Sequence, residues 1–128
     1  MTATDRALEL ARAAAEAAAD KLAEEVIALD VSDQLVITDV FVVASADSDR
    51  QVRAVVDGIE ERLREMGAQP VRREGLPEAR WVLLDYAEIV VHVQQTEDRR
   101  FYALERLWKD CPVVELPASV TAGRGAGA

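Results

Sequence analysis

Three side chains able to do proton chemistry, Asp85, Glu88 and His92, lie within RWVLLDYAEIVVHV (residues 80–93), and His92 is the only histidine in the chain. General acid–base work needs such groups within hydrogen-bond reach of one reacting atom. Two apolar runs around a short polar break read as a β-hairpin, and a two-residue turn at Tyr86–Ala87 is the most economical register. Asp85 then opposes Glu88, and Trp81 opposes His92. The imidazole stands three or four residue steps from the carboxylates, about 10–13 Å at ~3.3 Å per residue. Asp85 is too distant to orient it. Three roles remain for His92, in decreasing weight: a partly buried cross-strand partner of Trp81, a direct contact to a partner, and a catalytic group.

Other chemistries find less support. One histidine, one cysteine and scattered carboxylates show no metal-ligand spacing, and Cys111 marks a helix end. The stretch ASADSDRQ enters a helix at its N-terminus, which favours anions. It lacks the glycines that let backbone approach phosphate, however, and Asp47 and Asp49 would repel one. A nucleotidyl-transfer site wants two carboxylates alternating on one strand to hold Mg²⁺, whereas Asp85 and Glu88 flank a turn. Ser45 and Ser48 are conceivable nucleophiles, but Ser48 is better explained as a helix cap. No catalytic residue, metal ligand or cofactor site is assigned.

The chain of 128 residues suits a single domain, and 50% hydrophobic residues suffice for a core. A lone cysteine suits a reducing compartment. The N-terminal stretch alternates charge with alanine, unlike a secretory leader, and no apolar run approaches the ~20 residues of a membrane span. These features predict a cytoplasmic protein without a membrane partner. A net charge of −9 disfavours broad nucleic-acid binding and favours a basic protein surface.

The elements that must position the hairpin follow from periodicity. Residues 4–25 read as an alanine-rich helix with a shallow apolar stripe, expected to pack loosely or against something outside the chain. Residues 26–31 and 36–45 read as strands, and 69–73 as a short one. Ser48, with Gln51 three residues on, resembles a capping box, and Val52, Val55, Val56, Ile59, Leu63 and Met66 repeat at helical spacing up to Gly67. A last helix over 96–112, capped by Thr96, would share Phe101, Leu104 and Trp108 on one inward face, with Tyr102 pointing away. VVELP reads as an edge strand and residues 118–128 as a disordered tail, leaving a domain over 1–117. In the hairpin, Val82, Leu84, Ile89, Val91 and Val93 share an apolar face, while Trp81, Leu83, Val90 and His92 share the other. The fold class is α/β, one domain with a mixed sheet flanked by helices.

TDVFVVASADSDRQV, EG at 74–75, WVLLDYAEIVVHV and RRFYALERLW occur in this order, and together they resemble the ribosomal silencing factor family, also called Iojap-related proteins. The matching positions are Thr38, Asp39, Ser45, Ser48, Arg50, Trp81, Asp85, His92, Arg100, Tyr102, Glu105 and Trp108. The resemblance implies a nucleotidyltransferase-like fold without catalytic residues. It also implies a translational repressor, not an enzyme, that binds the large ribosomal subunit through ribosomal protein number fourteen and blocks association with the small subunit. A large-subunit assembly factor and a nucleotidyltransferase-like enzyme are the alternatives. The expected contact residues are Trp81, Leu83, Val90 and His92, joined by Arg100, Tyr102 and Glu105, with limited ribosomal RNA contact and a homodimer in the free state as further expectations. The family usually has glycine where this chain has Ala46 and Ala87, and a larger apolar residue where it has Gln94, expected at the edge of the interface.

Overall fold

In the computed structural model, which describes residues 3–120, a five-stranded mixed sheet runs in the order β1-β2-β5-β4-β3. The strands are β1 (Glu24–Asp30), β2 (Val40–Ala46), β3 (Arg72–Glu74), β4 (Trp81–Asp85) and β5 (Ile89–Gln95). The helices are α1 (Asp5–Asp20), α2 (Asp49–Glu65), α3 (Thr96–Tyr102) and α4 (Leu104–Leu107). β2 and β5 pair in parallel, and every other neighbouring pair is antiparallel. The mixed sheet flanked by helices is the architecture expected from sequence.

α1 and α2 cover one face. The expectation of a loosely packed α1 is overturned, because Ala7, Leu10, Ala11, Ala14, Ala15 and Ala18 are all buried in the main core with Val52, Val55, Val56, Ile59 and Leu63 of α2. Small side chains let the helix backbone approach closely, so a stripe that looks shallow by hydropathy still excludes water. The Ser48 hydroxyl accepts the Gln51 N–H at 3.1 Å. Only half of the capping box forms, because the Gln51 amide donates to the Leu22 carbonyl instead of reaching back.

The second strand begins at Val40, four residues later than expected. Val36 and Ile37 lie in the preceding loop with side chains 102% and 81% exposed, where turns back to the Val31 carbonyl from Gln34 and Leu35 replace strand pairing. VVELP contributes one bridge, Leu29↔Val113, flanked by hydrogen bonds from Asp30 N–H to Pro112 and from Val114 N–H to Ala28. This covers the outer edge of β1. Residues 118–120 form a helical turn that buries Val120 in the main core, so packing continues past 117. The rest of the expected tail lies outside the described residues.

The hairpin register differs from expectation by two positions. Trp81 pairs with Gln94, Val82 with Val93, Leu83 with His92, Leu84 with Val91 and Asp85 with Val90. The turn is therefore at Ala87–Glu88, with Tyr86 N–H bonded to the Ile89 carbonyl. A slip of two preserves the sorting of faces, since side chains alternate with period two. Val82, Leu84, Ile89, Val91 and Val93 are all fully buried under the helices. Ala87 sits at φ +69°, held by its N–H donating to Asp85 Oδ1 at 2.8 Å. A Cβ in the left-handed region costs roughly 1–2 kcal/mol. Ala87→Gly at this exposed position is expected to raise stability by about 1 kcal/mol net of glycine's entropy, checked by urea unfolding; no change or a loss would contradict the strain.

Candidate contact face

The sheet face turned away from α1 and α2 carries the hairpin's second set of side chains. Trp81 Nε1–H donates to His92 Nδ1 at 3.1 Å, so the cross-strand partnership expected for these two residues exists, though diagonally and not directly opposite. With Nδ1 accepting, the imidazole's proton belongs on Nε2, which is buried without a partner. Burial pushes the His92 pKa down to about 4, so the ring is neutral at physiological pH.

Ring contacts continue from this pair in both directions. Phe41 meets His92 edge-on at 5.0 Å and Trp108 meets Phe41 at 5.5 Å. On the other side Tyr102 lies 4.8 Å from Trp81, and Phe101 lies 5.0 Å from Tyr102. Phe101, Tyr102, Trp81, His92, Phe41 and Trp108 thus form an unbroken chain of rings across the face. Its outer end is open to solvent, with Phe101 81% and Tyr102 53% exposed. Aromatic rings with an apolar body and a polar edge suit a surface that must be wet when free and dry when occupied.

Phe101 corrects the helix expected over 96–112. The chain breaks at Ala103, which adopts φ +46°, and separates α3 from the four-residue α4. The single inward face of Phe101, Leu104 and Trp108 is therefore never formed: Phe101 faces solvent, while Trp108 is half-buried in a small cluster with Phe41, Leu29, Val31 and Cys111. Nor does Thr96 cap the helix; Gln95 is the N-cap, and the Thr96 hydroxyl donates to Asp47 at 2.7 Å.

The residues expected at the contact surface divide by exposure. Trp81, Leu83, Arg100 and Tyr102 are wholly or partly accessible, whereas Val90 and His92 are 9% and 6% exposed and lie below them. Glu105 is half-buried and pairs with Arg99 at 3.3 Å. Phe101, which sequence periodicity assigned to the interior, joins the accessible group. Gln94 is not at an edge but fully buried, and both its amide atoms lack partners. Unsatisfied buried polar atoms cost roughly 1–3 kcal/mol. Gln94→Leu is thus expected to stabilise the protein by about 1–2 kcal/mol in denaturant melts, and destabilisation would contradict this account of its environment.

Acid–base chemistry gains little from the corrected register. Asp85 stands two residue steps from Leu83, the partner of His92, or ~7 Å along the strand, nearer than the sequence suggests. Its oxygens are engaged by the Ala87 N–H and the Arg72 guanidinium. Ser45 donates to the Glu24 carbonyl and accepts from Arg99, while Ser48 serves α2. Burial, followed by the charges of Asp110, Asp30 and Asp33, pushes the Cys111 thiol up, which disfavours the reactive thiolate. Among the described residues, no group of three or more His, Cys, Asp or Glu side chains gathers to hold a metal ion, and no helix is long and apolar enough to cross a membrane. A recess of about 650 Å³ lies on the helical side, lined by Leu8, Arg12, Arg62, Met66 and Pro117 among others, away from the ring chain.

Gly75 fixes the approach to Trp81. It has φ +85°, and a Cβ there would overlap the Trp81 carbonyl oxygen. The loop from β3 can therefore fold against the start of β4 only with glycine at this position, which accounts for the glycine of the EG dipeptide at 74–75.

Comparison with known proteins bears on the chain as a whole. The family described as ribosomal silencing factor during starvation matches residues 4–127. The chain is 42% identical over 103 residues to ribosomal silencing factor RsfS of Bacillus subtilis, spanning 80% of this chain and 87% of that protein. It is 28% identical over 89 residues to a Mus musculus protein named mitochondrial assembly of ribosomal large subunit protein 1, spanning 67% of this chain and 39% of that protein. A crystal structure of a Chromobacterium violaceum protein superposes with a TM-score of 0.76 at 36% identity, covering 79% of this chain and 84% of that one. Fold, motif order and these likenesses agree: the chain belongs to the ribosomal silencing factor family.

Proposed function

We propose that this protein is a translational repressor in the cytoplasm that binds the large ribosomal subunit through ribosomal protein number fourteen, on the surface where the small subunit docks, and so blocks subunit joining. The observation that carries the reading is the chain of rings on the sheet face opposite α1 and α2, open to solvent at Phe101 and Tyr102. Membership of the ribosomal silencing factor family supports a ribosome-associated partner for such a face. Trp81, Leu83, Phe101, Tyr102 and Arg100 make the contact, with Val90 and His92 supporting them from below. A net charge of −9 complements a basic ribosomal protein and speeds encounter. Repression acts by steric occupancy, without catalysis or cofactor, and ribosomal RNA contact is limited to the rim.

Binding of the purified protein to isolated ribosomal protein number fourteen, by titration calorimetry at two salt concentrations, tests the partner. A saturable complex that weakens with salt is expected; absence of binding to the isolated protein, with binding to whole subunits, would reassign the contact to RNA or a neighbouring protein.

A second reading, a role in assembling the large subunit, is favoured by the likeness to the mouse protein named for that process. It uses the same face and differs in the stage at which the subunit is bound. A homodimer through this face would compete with subunit binding, so dilution would favour the bound form.

A further inference from the structure

We propose that Arg99 is a positioning residue: held by Glu105 across the bend at Ala103, it fixes Tyr102 beside Trp81 and Phe101 beside Tyr102, so that the aromatic platform exists only while this ion pair is closed. The proposal rests on reading that platform as the contact face.

Between Thr96 and Leu107, Arg99 is the one buried residue, at 4% exposure. A segment that covers a sheet is ordinarily anchored by apolar side chains. Here polar side chains do the anchoring, Arg99 from beneath together with Asp98 on Arg80 and Thr96 on Asp47 at the start of α3, and α4 buries no residue at all. The Arg99 fork spans three elements: Nη1 donates to Ser45 Oγ on β2 at 3.3 Å and to the Glu24 carbonyl on β1 at 3.5 Å, and Nε donates to Glu105 Oε1 at 3.3 Å.

The backbone between the two ionic partners is strained. Ala103 adopts the left-handed region without being glycine, and such a conformation persists only where the surroundings over-determine it. Two kinds of restraint close around it. The Ala103 N–H bonds to the Arg99 carbonyl at 2.8 Å, and the Arg99–Glu105 pair closes the same loop through side chains. Phe101 and Tyr102 lie inside this closed loop, 81% and 53% exposed, and beyond the ring contacts themselves little burial holds them. Their orientation beside Trp81 is therefore inherited from the bend. Glu105, placed by the sequence reading among the contact residues, acts instead through Arg99, and Arg99, absent from the expected contact set, becomes essential to it.

Two variants test this. Glu105→Gln keeps the side-chain shape and removes the charge, while Arg99→Lys keeps the charge and loses the fork. Proton cross-relaxation between the Trp81 and Tyr102 rings reports the platform in the free protein, and titration with purified large subunits reports its use. Both variants are expected to unfold cooperatively, to lose the ring cross-peaks and to bind about ten-fold more weakly or worse. Tyr102→Ala should weaken the wild-type protein but add little to Glu105→Gln, because the ring is already displaced there. If Arg99→Lys does not fold, Glu105→Gln decides alone. Cross-peaks that persist in Glu105→Gln overturn the proposal. So does their loss with unchanged affinity in a protein where Trp81→Ala does weaken binding. Should Trp81→Ala also leave affinity unchanged, the contact-face reading fails, and the cross-peaks alone decide whether the ion pair holds the platform.

Discussion

Trp81→Ala is expected to weaken binding to the large ribosomal subunit by about 2 kcal/mol, roughly 30-fold. Trp81 occupies the middle of the ring chain, with Tyr102 on one side and His92 on the other, and central aromatic anchors carry a disproportionate share of binding energy. Truncation removes the ring that supports Tyr102 and deletes the N–H that satisfies His92 Nδ1. Part of the effect will therefore appear as lost stability, and affinity must be measured well below the variant's melting temperature. Trp81→Phe separates the two contributions: it keeps a ring and loses the donor, so it should recover most of the affinity while retaining a stability deficit. Full affinity in folded Trp81→Ala would remove this face from the interface.

The second large effect is a dependence of stability on pH set by His92. Burial holds its pKa in the folded protein at about 4, against about 6.5 for an unperturbed imidazole. A group whose pKa is depressed by folding binds fewer protons folded than unfolded. The protein therefore has its full stability above pH 6.5 and loses it as pH falls toward 4. At about 1.4 kcal/mol per unit, the loss between pH 7 and pH 4.5 is roughly 2–3 kcal/mol. Urea midpoints of the wild type and of His92→Phe at the two pH values isolate this contribution. Glu24 contributes in the opposite sense, because the Asp47 charge beside it, aided by burial, raises its pKa, and the comparison with the variant cancels it. Equal pH dependence in both proteins would contradict the burial of a neutral imidazole.

How much of this was legible beforehand varies by element. α2 could be read residue by residue, since Ser48 and the repeat from Val52 to Leu63 all point the same way. Both hairpin faces were sorted correctly despite the wrong register, because parity depends on alternation alone, whereas register depends on how Ala87 turns. The α1 stripe looks shallow in sequence because alanine's contribution lies in close approach and hardly registers as hydropathy. The region from 96 to 112 was least legible. Helical spacing of Phe101, Leu104 and Trp108 describes an uninterrupted helix, and nothing local to Ala103 announces a break. The break comes with a long-range contact, Arg99 reaching β2 and β1, which periodicity does not encode. The family was legible in the motif series, whereas one histidine, one cysteine and the absence of ligand spacing yield only an expectation of a recognition surface.

In the proposed function, this protein occupies the large subunit and thereby prevents joining. Sucrose-gradient sedimentation of purified large and small subunits, with and without the protein, tests it most directly. The account predicts that the protein migrates with free large subunits and that the peak of joined ribosomes shrinks in proportion to its concentration, an effect Trp81→Ala should largely abolish. Migration with large subunits while joined ribosomes form undiminished would favour the assembly role. Protein that remains at the top of the gradient would contradict the account.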